Sequence, residues 1–142
     1  MKTHKLQPIL TLTILAVLVL TLLPTNSVFA ATCTGSGCNG IDPQGTTCWN
    51  DATIANWAWG SDGTMKNRNM YSPGCVSNWS YTLYPTATYL AAETVGDFRY
   101  EAPRTYTYVW NSMWDGSGLV CTRGYKGSSQ GNYDIYSNSV CA

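Results

Sequence analysis

Thr53-Ile-Ala-Asn-Trp57-Ala-Trp59-Gly60-Ser-Asp62-Gly63-Thr-Met65-Lys-Asn-Arg68-Asn-Met-Tyr71 is the stretch that decides the fold class. Thr53, Ala55, Trp57 and Trp59 alternate with Ile54, Asn56 and Ala58, the period of two that separates the faces of a strand. Gly60-Ser61-Asp62-Gly63 is a turn signal. Met65 to Tyr71 can return antiparallel, so the stretch predicts a β-hairpin.

Outward from the hairpin the pattern repeats. Tyr71-Ser72-Pro73-Gly74 has proline and glycine where a type II turn wants them. Trp79, Tyr81 and Leu83 alternate with Ser80, Thr82 and Tyr84 in a further strand, which Pro85 ends. Ala87 to Glu93 fits a strand or one or two helical turns equally. Phe98 to Glu101, Thr105 to Met113, Leu119 to Tyr125 and Tyr133 to Tyr136 are strand-like, with Asp115-Gly116-Ser117-Gly118 as a further turn. Short strands separated by turns, with no sustained helical period, predict an all-β domain, a small disulfide-stabilised sandwich or barrel.

Upstream, Lys2 and Lys5 precede Ile9–Leu23, an uncharged apolar run, and Val28-Phe29-Ala30 offers small residues for a signal peptidase. Residues 1–30 are therefore expected to be a secretory signal peptide, cleaved after Ala30. The run is shorter than the roughly 20 residues a membrane span needs, so no stable membrane anchor is expected after cleavage. Residues 31–142 are then one secreted extracellular domain, expected to be a monomer. The single histidine, His4, leaves with the leader. What remains lacks the usual base near neutral pH and the commonest metal ligand. Lys2 and Lys5 leave too, so six basic residues face eight acids, a net charge near −2 with no basic patch. Nucleic-acid binding and a polybasic membrane tether are both disfavoured.

All six cysteines stay in the mature part. Outside the cytoplasm they predict three disulfides. If the hairpin axis falls between Ser61 and Asp62, Cys48 and Cys75 oppose one another, so Cys48–Cys75 is the first pairing. Cys33 and Cys38 enclose a flexible Thr-Gly-Ser-Gly loop, which leaves Cys121 with Cys141. The rival is zinc on Cys33, Cys38 and Cys48. Their spacing is not that of a zinc knuckle and oxidation competes with thiolate binding, so neither metal nor cofactor is expected.

Cys33-Thr-Gly-Ser-Gly-Cys38-Asn-Gly40-Ile-Asp42-Pro43, then Cys48 and Asp51-Ala52-Thr53, resembles the opening of the YjfA-like secreted bacterial proteins. Arg68, Tyr71-Ser72-Pro73-Gly74-Cys75 and Trp79 resemble that family's second block. The resemblance implies a small extracellular domain of unknown function and carries no catalytic residue over.

The remaining chemistry is thin. Without histidine no Ser–His pair exists, and there is no Ser-x-x-Lys after the leader. Glu93, Asp97 and Glu101 are the acids a glycan hydrolase would use if two of them faced a cleft. Asp42, Asp62 and Asp115 sit in turn contexts and are expected to be turn-formers first, and the segments at Asp62 and Asp115 lack the spaced acids of a calcium loop. Lys66 and Lys126 lie beside turns and are expected in solvent. Aromatic residues are the feature left over: with phenylalanine almost absent, six tryptophans and ten tyrosines carry the apolar load. Trp57, Trp59, Trp110 and Trp114 are the expected ligand-binding set, for cell-wall glycan or another extracellular macromolecule. No catalytic residue is expected. A carboxylate-dependent envelope hydrolase and a secreted inhibitor or antibacterial effector are the alternatives.

Overall fold

In the computed structural model, which describes residues 33–86, 89–94, 98–102 as backbone, and 107–142, the opening stretch is a hairpin of β1 (Thr53–Trp59) and β2 (Lys66–Ser72). The leader expected over 1–30 and Asp97 lie outside the described residues. The hairpin's register differs from the expected one. Trp57 pairs with Arg68 and Trp59 with Lys66, which places the axis between Asp62 and Gly63. The cause is local. Asp62 Oδ1 accepts the amides of both Thr64 and Met65 at 3.0 Å, while the Gly60 amide reaches Met65 O at 2.8 Å, so the turn is longer than two residues. Gly63 takes φ +66°, the left-handed conformation only glycine adopts without cost. A bulge between Ile54 and Asn56 then shifts the pairing, so that Ile54 meets Met70.

β2 pairs with β3 (Ser77–Leu83) through a turn over Pro73–Val76. The expected type II turn is not what forms, because Gly74 is not among the left-handed residues and Val76 is, at φ 49°. Asp51 accounts for this: its carboxylate accepts the Gly74 amide at 2.7 Å and the Ser72 hydroxyl, and Ser72 Oγ accepts the Cys75 amide. β6 (Tyr108–Trp110) and β7 (Trp114–Asp115) both pair with β3 along the same edge, at its two ends, and complete the first sheet, β1-β2-β3-β6 with β7 also on β3. Thr105–Met113 is thus not one strand: residues 103–106 lie outside the described residues and only Tyr108–Trp110 is paired.

The second sheet has the order β10-β8-β4-β5, with β9 also on β8. Its members are β4 (Tyr89–Thr94), β5 (Phe98–Ala102), β8 (Cys121–Ser129), β9 (Asn132–Tyr136) and β10 (Val140–Cys141). The ambiguous stretch before Glu93 is therefore a strand. Every pairing is antiparallel. The two sheets lie face to face, and a Gly60–Ser137 bridge joins them at one corner. The chain is an all-β sandwich.

What lies between the sheets is polar. Asn67, Asn69, Asn78, Ser80, Thr82, Thr94, Asn111 and Thr122 are all buried. They satisfy one another across the gap. Asn67 Nδ2 donates to Thr122 Oγ1 at 3.1 Å, and Asn67 Oδ1 accepts from Ser80 Oγ at 2.7 Å. Asn69 Nδ2 donates to Val120 O at 2.7 Å, Asn78 Nδ2 to Asn69 Oδ1 at 2.8 Å, and Asn111 Nδ2 to Thr94 Oγ1 at 2.7 Å. Such a layer is stable because its members have partners; a half-satisfied one would not be. Leu90, Ala92 and Val109 form a small apolar cluster at one end.

The larger apolar cluster lies on the other side of the first sheet. There Cys38, Cys48, Cys75, Trp79 and Met113 are buried, with Cys33, Trp49, Ala52, Met70 and Trp110 against them. The covering segment is a series of short 3-10 turns, Gly35–Cys38, Pro43–Gly45 and Thr47–Trp49, held down by sulfur. Disulfides join Cys33 to Cys38, Cys48 to Cys75, and Cys121 to Cys141, the three pairs expected. Cys121 and Cys141 face each other across β8 and β10. Cys48, however, sits in a 3-10 turn and not on an extension of β1, so its bridge ties the covering segment to the β2–β3 turn. Several disulfides are typical of extracellular proteins. Among the described residues no helix is long and apolar enough to cross a membrane.

Candidate ligand-binding face

Residues paired laterally across an antiparallel sheet point to the same face. On the outer face of the first sheet this makes three rows. Trp59, Lys66, Leu83 and Tyr108 form the first; Trp57, Arg68, Tyr81 and Trp110 the second; Ile54, Met70 and Trp79 the third. The partly polar strand sequence Lys-Asn-Arg-Asn-Met is the reason: its asparagines turn inward to the amide layer, so its cations face outward among rings.

The rings pack on one another. Tyr81, Tyr108 and Trp110 have centroids 5.8–6.3 Å apart and planes within 16° of parallel. Trp49 reaches over from its 3-10 turn, 5.2 Å from Trp110 and 6.2 Å from Trp79. Trp110 Nε1 donates to Asp42 Oδ1 at 2.9 Å, fixing that ring to the covering segment. At the free edge Trp57 and Trp59 meet edge to face at 5.6 Å. Lys66 Nζ lies 4.0 Å from the Trp57 ring centre, a cation–π contact. Trp57 is 45%, Trp59 49% and Tyr108 40% exposed, so this apolar surface is open at rest.

Two depressions lie along the face. One, of ≈ 220 Å³, is lined by Trp49, Ala52, Arg68, Met70, Trp79 and Tyr81. The other, of ≈ 240 Å³, lies among Lys66, Leu83, Tyr84 and Tyr108. Each contains one cation and at least one ring. Burial raises the Tyr81 phenol above its ordinary value and the neighbouring Tyr108 adds to this, while Arg68 pulls the other way.

Three of the four expected binding tryptophans, Trp57, Trp59 and Trp110, share this face. Trp114 does not. It pairs with Asn78, whose amide is in the inter-sheet layer, so it belongs to the opposite side of the sheet. Trp49, Lys66, Arg68, Tyr81 and Tyr108 join the face without having been singled out. For Arg68 and Tyr81 the signal was available, since the hairpin's parity places them beside Trp57. For Trp49 there was none, because its position depends on a disulfide-tied turn.

The acids are placed as follows. Glu93 lies on the second sheet, opposite Arg99 and Arg123, and accepts a hydrogen bond from the Tyr125 hydroxyl. Glu101 is described only as backbone, opposite Ala91. Asp42 and Asp115 accept turn amides, from Gln44 at 2.9 Å and Ser117 at 3.0 Å. Neither Lys66 nor Lys126 is free in solvent: Lys66 covers Trp57, and Lys126 pairs with Asp62 at 3.0 Å. Partial burial pushes the Asp62 carboxyl up, but the Met65 and Thr64 amides and the Lys126 ammonium outweigh it and the net shift is downward. Near the covering segment the sulfurs of Cys33, Cys38, Cys48 and Cys75 all lie within 4.8 Å of one another. As two disulfides they offer no thiolate to a metal.

Compared with family models, curated proteins and solved structures, the chain finds no match.

Proposed function

We propose that this is an exported, non-catalytic bacterial domain of the YjfA-like kind that binds a glycan of the cell envelope through the outer face of its first sheet. The observation that carries the reading is the aromatic surface of Trp57, Trp59, Tyr108 and Trp110 on one rigid, disulfide-tied sheet. Flat rings held by cross-strand packing suit the flat, C–H-rich faces of sugar rings, and a face already ordered loses little side-chain entropy on binding. Covering the exposed part of Trp57 and Trp59 would remove about 100 Å² of apolar surface apiece from water, worth about 2–3 kcal/mol each. Asp42, bonded to Trp110, and Asp51, beside Ala52 of the depression, already accept hydrogen bonds from the protein itself, which favours binding over hydrolysis. The test is sedimentation of the oxidised protein with purified cell wall. Retention is expected, reduced at least about tenfold by Trp57→Ala combined with Trp59→Ala. Absence of retention by the wild type would count against the proposal.

A further inference from the structure

The depression lined by Trp49, Ala52, Arg68, Met70, Trp79 and Tyr81 has a chemistry of its own. Two of its lining residues carry buried nitrogens, Arg68 Nε and Trp79 Nε1, that have no hydrogen-bond partner. Trp79 is fully buried. Arg68 forms no ion pair among the described residues, and its cross-strand neighbours are the rings of Trp57 and Tyr81. A buried donor without an acceptor costs on the order of 1–3 kcal/mol, and both of these belong to residues that line the same depression. Both groups are donors. Trp79 Nε1 is closed off inside the fold, so the part-exposed Arg68 is the group open to a ligand, and its fixed positive charge favours an anionic acceptor.

We propose that this depression is a subsite for the carboxylate of an acidic sugar. The carboxylate accepts from the Arg68 guanidinium, while the neighbouring rings carry the sugar faces. The inference rests on the glycan-binding reading above and narrows it to an acidic glycan. A neutral acetamido carbonyl would satisfy one donor and leave the charge unmatched. Arg68 is also the only cation in its cross-strand row, between Trp57 and Tyr81, so a sugar stacked on those rings lies against it.

The experiment compares two polymers of the same backbone, a polyuronate and its carboxyl-reduced form, by isothermal titration with the oxidised full domain. The wild type is expected to bind the acidic polymer at least about tenfold more tightly than the reduced one. Arg68→Gln should abolish that preference while retaining the affinity for the neutral polymer. Arg68→Lys, which keeps the charge but not the planar fork, should recover only part of it. Arg123→Gln removes the same charge from the outer side of the other sheet and should change nothing. Near-UV circular dichroism of the Trp49–Trp79 pair reports that each variant is folded. Equal binding of both polymers by the wild type would overturn the carboxylate subsite and leave the aromatic face standing. Equal weakening by Arg123→Gln would overturn it in favour of diffuse charge. Failure to bind either polymer or cell wall would overturn both readings.

Discussion

Gly124 shows how closely the two sheets approach. A Cβ placed there would lie 2.6 Å from Thr82 Oγ1 and 3.0 Å from Asn67 Cβ. Those two side chains are not free to yield, because Asn67 bridges Ser80 and Thr122 while Thr82 Oγ1 donates to Ala91 O at 3.1 Å. Gly124→Ala is therefore expected to pry the amide layer open and destabilise the domain by about 1–3 kcal/mol, seen as a lower urea midpoint with unchanged slope. This layer was not legible in the sequence. A period of two divides a strand into faces but does not say which one meets the partner sheet. Polarity would have sent Asn67 and Asn69 to solvent and the rings beside them inward. The opposite holds, because the amides find a complete set of partners and the rings find cover in the segment carrying Trp49. The scarcity of phenylalanine was a correct sign that tryptophan would pack the core, and Trp79 does. It was silent about Trp57 and Trp59, which remain open.

At the scale of elements, the β1–β2 turn carries its own electrostatics. Asp62 accepts two turn amides and pairs with Lys126, which also lies 3.8 Å from the Tyr84 ring centre. Its carboxyl titrates below the ordinary value when folded, so its contribution is fully present above the unfolded carboxylate range and is lost as pH falls through the lower, folded value. Asp62→Asn is expected to cost about 1 kcal/mol at neutral pH, and the difference between variant and wild type should shrink in thermal melts taken progressively below about pH 4. A constant gap across that range would show that the charge contributes nothing. Most strands were legible from alternation and turn residues, including the hairpin, β3, β8 and β9. The hairpin's register was not, because the Asp62 side chain lengthens the turn and a bulge follows. β10 is two residues long, too short for any alternation to show, so periodicity could not reveal it.

Across the whole molecule, the arrangement inverts a familiar division of labour. Hydrogen bonds fill the space between the sheets, and the main apolar cluster lies outside one of them, under a covering segment of short turns. That segment has no strand of its own to hold it. By loop-closure entropy, Cys48–Cys75, which fastens it, contributes about 3–4 kcal/mol, and the smaller Cys33–Cys38 loop about 2 kcal/mol. The cysteine pairs were legible in the sequence, although the strand geometry used to reach Cys48–Cys75 was not the geometry that forms. The outcome for function is a sheet whose outer face is half covered by Trp49 and its neighbours and half open at Trp57, Trp59 and Tyr108. The open half is where a ligand is expected, and the division between the two sides of the sheet gives the most direct check. Each tryptophan indole N–H gives its own nuclear magnetic resonance signal, so titration with soluble cell-wall fragments can be followed ring by ring. Shifts are expected at Trp57, Trp59, Trp79 and Trp110, with Trp114, on the opposite side, unmoved. Shifts centred on Trp114, or none at any indole while the fragments bind, would contradict the account.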